Sequence, residues 1–295
     1  MEQIAFLGTG LLGSAFVEAA CRRGERVAVW NRTTEKARAL EKFGARASPT
    51  PAVAVRDAVR VHLVLKDDAV VEQVIADLMP GLSDDAIVVD HSTTQPALTA
   101  QRVKRLNEKG VRYIHCPVFI GPAAARKQKG TILCAGPRAL FDAIHPALRA
   151  MAENVEYLGE RPDLAAVYKL CGNAFIIGLN AIVADAYAVG AGAGVDARAV
   201  LKVIEMFDPG ATIAGRGKLM ADGQFNPTFE LSMARKDVRL MMETAGDRPL
   251  SVLPSLATRM DELIKNGHGE EDLAVLGKPE DLKPKVPTIS RRGSS

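Results

Sequence analysis

Gly8-Thr9-Gly10-Leu11-Leu12-Gly13 lies between a short apolar run at residues 4–7 and a helical pattern that begins near Leu11. A G-x-G-x-x-G in that strand–turn–helix setting does three things at once. Gly8 allows a tight turn, Gly10 lets backbone approach a pyrophosphate, and Gly13 lets the helix pack on the strand while its N-terminus faces the anion. The runs that follow, at residues 27–30, 61–65 and 86–90, alternate with helical patterns such as the one starting near Thr34. Such alternation requires right-handed crossovers and a parallel sheet. Further strand candidates at 111–115, 131–135 and 155–158 extend the sheet domain to about residue 161. The fold class is therefore α/β, with an N-terminal Rossmann doubly wound sheet.

The end of the second strand discriminates between nicotinamide cofactors, because a carboxylate there binds a ribose 2′-hydroxyl and repels a 2′-phosphate. This chain has no carboxylate at that point and reads Trp30-Asn31-Arg32-Thr33-Thr34, with Lys36 close behind. Arg32 offers a planar set of donors to a phosphate, and Asn31 and Thr33 add neutral hydrogen bonds. The expectation is NADP, with NADPH preferred over NADH.

Strand signals fade after Arg161-Pro162-Asp163, where a domain boundary is expected. Asp163 can cap a helix that runs without proline to about Gly192, roughly thirty residues or about 45 Å. It carries Gly172, Gly178, Gly190 and Gly192 among alanines, so a central helix buried between neighbours is expected. More helices are expected at 196–206, around 232–245 and at 251–264. They make residues 162–277 an all-α C-terminal domain for substrate binding and dimerisation, joined to the sheet by the long interdomain helix. The proline- and charge-rich stretch 278–295 is expected to be a poorly ordered tail.

The formal charge of +3 resides in that tail, which has five basic residues (Lys278, Lys283, Lys285, Arg291, Arg292) against Glu280 and Asp281. The rest of the chain is balanced and has no basic stripe of the kind that nucleic acid requires. No stretch approaches the roughly eighteen uninterrupted apolar residues of a membrane span, and the N-terminus lacks a basic segment and cleavage site. A soluble, cytoplasmic protein is expected, with no nucleic-acid or membrane partner. Cys21, Cys116, Cys134 and Cys171 form no C-x-x-C pair, so neither a metal site nor a disulfide framework is expected, only reduced and mostly buried thiols. His62 and His145 read as structural histidines. His91 and His115 end strands near the expected cleft. The set Met206, Met220, Met233, Met241 and Met242 reads as core or subunit interface.

Lys169 and Asn173 are four residues apart on one face of the long helix. A lysine near a domain junction, facing an oxidised nicotinamide, has its pKa lowered and can exchange the hydroxyl proton while the hydride moves. Asn173 would hold the substrate oxygen or the ammonium.

Taken together, Gly8 to Gly13, Asp90-His91-Ser92-Thr93, Pro117-Val118 with Gly130-Thr131, Lys169 with Asn173, and Phe229 to Leu240 with Lys236-Asp237 resemble the ordered signatures of the β-hydroxyacid dehydrogenases. That family includes 3-hydroxyisobutyrate dehydrogenases and glyoxylate or succinic semialdehyde reductases, and the resemblance spans about residues 3 to 276. It implies that Lys169 is the catalytic acid/base and Asn173 its partner. It places Leu65, Lys66 and Thr93 at the cofactor, with Lys236 closing over the nicotinamide and Asp237 supporting that lysine. Ser92 would hydrogen-bond cofactor or substrate.

The chain departs from the family's substrate-anion loop, which usually reads Pro-Val-Ser-Gly-Gly. Here it is Pro117-Val118-Phe119-Ile120-Gly121-Pro122, followed by an insert with Arg126, Lys127 and Lys129 before Gly130. Phe119 and Ile120 replace the serine and first glycine that would hold a carboxylate, and His115 stands where an aspartate is common. The expected substrate site is Ser92, Val118, Phe119, Ile120, Gly121 and Asp237. The expected function is NADP(H)-dependent hydride transfer between nicotinamide and a small aldehyde, ketone or β-hydroxyacid-type alcohol, in a homodimer or homotetramer through the helical domain. An imine reductase of the same fold is the alternative that Phe119 and Ile120 favour and Lys169 disfavours. A cofactor-binding module without turnover is disfavoured by the presence of both Lys169 and Asn173.

Overall fold

The computed structural model describes residues 2–278; most of the expected tail, 279–295, lies outside them. The chain divides into two compact units, one ending at Ala174 and the other beginning at Phe175.

The first unit is built on a six-stranded parallel sheet of order β3-β2-β1-β4-β5-β6. Its strands are β1 (Gln3–Leu7), β2 (Arg26–Trp30), β3 (Arg46–Ala47), β4 (Ala58–Leu63), β5 (Ile87–Asp90) and β6 (Arg112–His115). The crossovers carry α1 (Leu11–Arg22), α2 (Thr34–Arg38), α3 (Pro51–Val55), α4 (Asp68–Leu78) and α5 (Pro96–Glu108). The strands are apolar runs rather than alternating ones because helices cover both faces. Ile4, Phe6, Val27, Val29 and Val89 pack into one layer, while Ala5, Leu7, Ala28, Val61 and Leu63 pack into the other. In register, Leu7 pairs with Trp30 and with Leu63, Leu63 with Asp90, and Asp90 with His115. The carboxyl ends therefore align, and the loops beginning at Gly8, Asn31, Val64, His91 and Cys116 emerge along one edge.

The later strand candidates of this unit form a separate sheet. Pro117 lacks a backbone donor just past β6, and the chain turns into β7 (Val118–Phe119), α6 (Pro122–Ala125), β8 (Thr131–Cys134), α7 (Arg138–Arg149) and β9 (Asn154–Tyr157). β7 pairs antiparallel with β8, and β8 runs parallel to β9.

The long helix α8 (Leu164–Gly192) has 29 residues. The division between the two compact units falls inside it, and Ala165 and Ala166 in its first turn are buried, Ala165 packing with Leu133 and Ala135. The expectation of a helix buried between neighbours is overturned. Phe175 is 59% exposed and Ile177 67%. A Cβ at Gly192 would lie 1.8 Å from the Thr244 carbonyl oxygen, as a close-packed glycine requires, but Gly178 has open space in front of it. By length and composition α8 could cross a membrane. Its polar residues have other uses, however: the Asp185 carboxylate accepts the backbone N–H groups of Ser251, Val252 and Leu253 at 2.6–2.9 Å.

In the second unit α8 is followed by α9 (Ala197–Leu201), α10 (Pro209–Asp222), α11 (Leu231–Ala245) and α12 (Leu253–Leu263). Its core is Leu231, Ala234, Val238, Leu253, Ala257, Met260 and Leu263. Asp272 is fully buried and accepts from Thr228, Phe229, Ala274 and Arg216, bonds that hold its carboxyl well below the usual range. α10 was not anticipated, because Gly210, Gly215 and Gly217 weaken its helical pattern. Of the methionine set, Met220 packs against Gly277 and Met242 against the core, whereas Met206, Met233 and Met241 are exposed.

Candidate active site

The phosphate loop starts where β1 ends. Gly8 has φ 99°, and a Cβ there would come within 2.3 Å of the Val64 carbonyl oxygen. A Cβ on Gly13 would meet the Gly8 carbonyl oxygen at 2.0 Å, so both positions admit only glycine. Gly10 is different, since nothing lies within 4 Å of the space a Cβ would take. Gly10 is also the N-cap of α1 and supplies no side-chain hydrogen bond. The first-turn N–H groups of α1 therefore face open space without a cap, as an anion-binding helix terminus requires. A dinucleotide pyrophosphate fits this cradle.

The loop is one end of a cavity of about 840 Å³, the size of a cofactor or drug-sized ligand site. Gly8, Gly10, Leu11, Leu12, Gly13, Asn31, Arg32, Leu65, Lys66, Ser92, Thr93, Val118, Ile120 and Lys169 all line it. It follows the carboxyl edge of the sheet, where α/β ligands bind. The sequence reading missed Trp30 and a wall from α4, including Val70, Gln73 and Asp77. Trp30, the last residue of β2, was the one legible signal, because a strand's last residue opens onto that edge.

Several expected contacts are spent inside the protein. Asn31 Oδ1 accepts the Thr9 N–H at 3.0 Å and its Nδ2 donates to the Thr33 carbonyl at 3.1 Å, so it braces the phosphate loop against β2. Thr9 and Thr33 do not line the cavity. Thr9 faces a smaller space of about 400 Å³ behind the loop, where its hydroxyl is buried without a partner. Arg32 is exposed on the cavity and has no ion pair among the described residues. Its guanidinium is available to a phosphate.

Midway along the cavity, Ser92 and Thr93 are held from beneath. Asp90 is fully buried; its Oδ1 accepts the Ser92 N–H at 2.9 Å and its Oδ2 the Tyr113 hydroxyl at 2.6 Å. Ser92 Oγ accepts the Leu65 N–H at 3.0 Å, which ties the two cavity loops together. Behind them runs a chain of buried rings. Arg60 Nε donates to His62 Nε2 at 3.1 Å, His62 Nδ1 to His91 Nε2 at 2.9 Å, and His91 Nδ1 to the Cys116 carbonyl at 2.7 Å. Each ring has one donor and one acceptor in use, which requires both to be neutral. Burial pushes the pKa of His62 well down and that of His91 down to about 4. His115 donates to the Ser92 carbonyl from β6.

At the far end, Lys169 Nζ donates to Asn173 Oδ1 at 2.8 Å and stands 4.3 Å from the centre of the Phe119 ring. Partial burial lowers its pKa from the ordinary lysine value. Both residues lie in the part of α8 that belongs to the first unit. Phe119 is not on the cavity, because strand alternation turns its ring away from Val118 toward Leu133, Ala135 and Ala165. Gly121 is the N-cap of α6 and does not line the cavity either. The basic insert is engaged elsewhere, Arg126 with Glu18 at 2.6 Å and Lys129 with Glu153 at 2.6 Å, while Lys127 is exposed. Lys236 and Asp237 form an ion pair at 2.9 Å on α11 of the second unit. Among the described residues no cluster could hold a metal ion, and all four cysteines are free.

Residues 3–159 match the family model for the NAD binding domain of 6-phosphogluconate dehydrogenase. Residues 164–278 match the model for the NAD-binding part of NADP-dependent 3-hydroxyisobutyrate dehydrogenase. The chain is 27% identical over 290 residues to 3-sulfolactaldehyde reductase of Escherichia coli, covering 94% of this chain and 95% of that protein. It is 25% identical to glyoxylate/succinic semialdehyde reductase 1 of Arabidopsis thaliana, covering 93% and 96%. In fold it is similar to an imine reductase from Myxococcus stipitatus in complex with NADP+, at a TM-score of 0.86 and 20% identity over 95% of this chain and 100% of that one. The same holds for a reductive aminase from Aspergillus terreus in complex with NADPH, at a TM-score of 0.83 and 21% identity over 94% and 98%. With its Rossmann sheet, its long helix and its matches across both parts, the chain belongs to the 3-hydroxyisobutyrate dehydrogenase-like family of NAD(P)-binding oxidoreductases.

Proposed function

We propose that this oxidoreductase reduces a small, neutral aldehyde or ketone with NADPH, and that Lys169 gives the carbonyl oxygen its proton. The observation that carries the reading is the placement of Lys169, which lines the same cavity as the phosphate loop and Arg32, with Asn173 Oδ1 accepting one of its N–H groups. When bound, NADPH supplies the hydride. The uncapped start of α1 and Gly10 would take its pyrophosphate, and Arg32, with Thr33 nearby, its 2′-phosphate. Thr9, Asn31, Leu65, Lys66 and Thr93 would shape that end.

Lys169 keeps two N–H groups for a substrate oxygen after bonding Asn173. Its lowered pKa makes it a better acid than an exposed lysine. Asn173 retains its amide N–H₂ to orient the same oxygen. Preference for a neutral substrate follows from the walls. Val118 and Ile120 line the cavity, and Arg126 and Lys129 are bound to Glu18 and Glu153. A carboxylate against that apolar wall would lose hydration without a partner.

Imine reduction is the second reading, supported by the same apolar wall. A cationic Lys169 argues against it, because an iminium substrate is itself positive. An NADPH-oxidation screen over neutral aldehydes, glyoxylate, succinic semialdehyde and cyclic imines tests both. Neutral carbonyl compounds should give the highest kcat/KM. Glyoxylate turned over efficiently, and unaffected by neutralising Arg126, Lys127 and Lys129, contradicts the neutral-substrate reading. Cyclic imines ranking first would replace it.

We further propose a cytoplasmic homodimer in which a second copy covers the exposed Phe175, Ile176, Ile177 and Phe207 of the helical unit. Light scattering checks the mass.

A further inference from the structure

We propose that Phe119 and Gly172 are a matched pair of positioning residues for Lys169. The glycine makes room for the ring, and the face of the ring holds the ammonium where Asn173 Oδ1 can accept a hydrogen bond from it. For its kinetic consequence the proposal rests on Lys169 being the proton donor; its structural content does not.

Lys169, Gly172 and Asn173 stand at i, i+3 and i+4 on α8, so they share one helix face. A Cβ on Gly172 would lie 2.2 Å from Phe119 Cζ and 2.6 Å from a neighbouring ring carbon. Such an overlap is harmless when the ring can swing aside, but this half-buried ring is held by its strand and by one packed side. Its backbone pairs with Thr131 in the β7–β8 ladder. Gly130, at φ 99°, leaves room for the Phe119 backbone, since a Cβ there would come within 2.7 Å of the Phe119 carbonyl oxygen. The ring itself packs into the small cluster of Leu133, Ala135 and Ala165 with Leu158 and Leu164. In this position of the Phe119 ring, only glycine at 172 leaves it room.

The consequence falls on Lys169, whose Nζ stands 4.3 Å from the ring centre, within the range where a ring quadrupole attracts a cation. The ring excludes water from one side of the ammonium and replaces part of the lost hydration with its negative face. The Lys169–Asn173 hydrogen bond holds the other side. The ring face and the Asn173 amide oxygen thus flank the ammonium and keep it protonated despite its partial burial.

Lysine-selective NMR titration of the Nζ signal, assigned with Lys169→Arg, reads this without turnover. Phe119→Tyr retains the ring face, and its Lys169 should titrate as in the wild type. Phe119→Leu keeps the apolar cover but loses the face, and the titration should fall by about half a pH unit or more, the scale of a partly desolvated cation–π contact. Phe119→Ser admits water, and the titration should rise. Identical titrations in Phe119→Leu and Phe119→Tyr would overturn the proposal. Gly172→Ala should lower kcat at least tenfold on the wild-type background and cost little more on Phe119→Ser, whose smaller side chain leaves space. Equal losses on both backgrounds would show that the two positions act independently and would also overturn the pair. Should the titration shift as expected while kcat stays unchanged in Phe119→Leu, the pair stands and the proton-donor role of Lys169 falls.

Discussion

The two ends of the cavity are built differently. At the phosphate end the working groups are backbone: Gly8 and Gly13 allow the turn, Gly10 leaves the approach open, and α1 starts without a cap. Around Lys169 the proposed groups are side chains on elements remote in sequence, with Lys169 and Asn173 on α8 and, behind the lysine, Phe119 on β7. A backbone site is set by local spacing and tolerates change nearby. A side-chain site depends on which residues tertiary packing brings together, so a change at a distant position moves it.

The largest expected effect breaks the side-chain end alone. Lys169→Ala should lower kcat by roughly two to four orders of magnitude, the range for removing a general acid, while NADPH affinity measured by fluorescence stays near wild type. Loss of affinity as large as the loss of rate would mean that the two ends are not separate.

Arg32→Ala tests the phosphate end and should be smaller. The guanidinium has no ion pair to lose among the described residues, so its removal should cost NADPH about 1.5–3 kcal/mol of binding and leave NADH nearly unchanged. Equal weakening of both cofactors in kcat/KM would remove the 2′-phosphate role.

Between the ends lies the histidine chain beneath Ser92, and its effect is the smallest. His91 is pushed down to about 4 from an ordinary value of 6.5, so the unfolded chain binds a proton in this window that the folded one refuses. The stability is whole above pH 6.5 and lost as pH falls toward 4. Between pH 6.5 and 5.5 the loss from this ring is about 1 kcal/mol. Thermal melting over that range should show the decline, and a His62→Leu/His91→Asn variant, less stable throughout, should lose most of it. A flat wild-type profile would mean that the rings are protonated in the fold.

The same contrast explains what was legible in the sequence. The phosphate loop, the parallel strands and the Lys169–Asn173 spacing are short-range patterns, and each could be read from a few adjacent residues. In sequence Phe119 reads as a cavity wall because it replaces a polar residue in a loop, but two-residue alternation in β7 points Val118 and Phe119 to opposite faces. Asn31 was read as a cofactor donor, and its bonds to Thr9 and Thr33 could not be foreseen because they depend on how two loops meet. The exposure of α8 follows the same logic on a larger scale. Helical periodicity and small residues mark a helix that needs cover, but they do not say whether the cover comes from its own chain.

Whether Lys169 delivers a proton from this cavity can be read from the pH dependence of single-turnover NADPH oxidation with the best substrate from the screen. A proton donor must be protonated to act, and burial lowers the Lys169 pKa below the ordinary 10.5. In the wild type the rate should therefore fall as pH rises through a value below 10.5, whereas Lys169→Met, whose residual rate has no such donor, should show no decline there. The same decline in both proteins would mean that a group other than Lys169 supplies the proton.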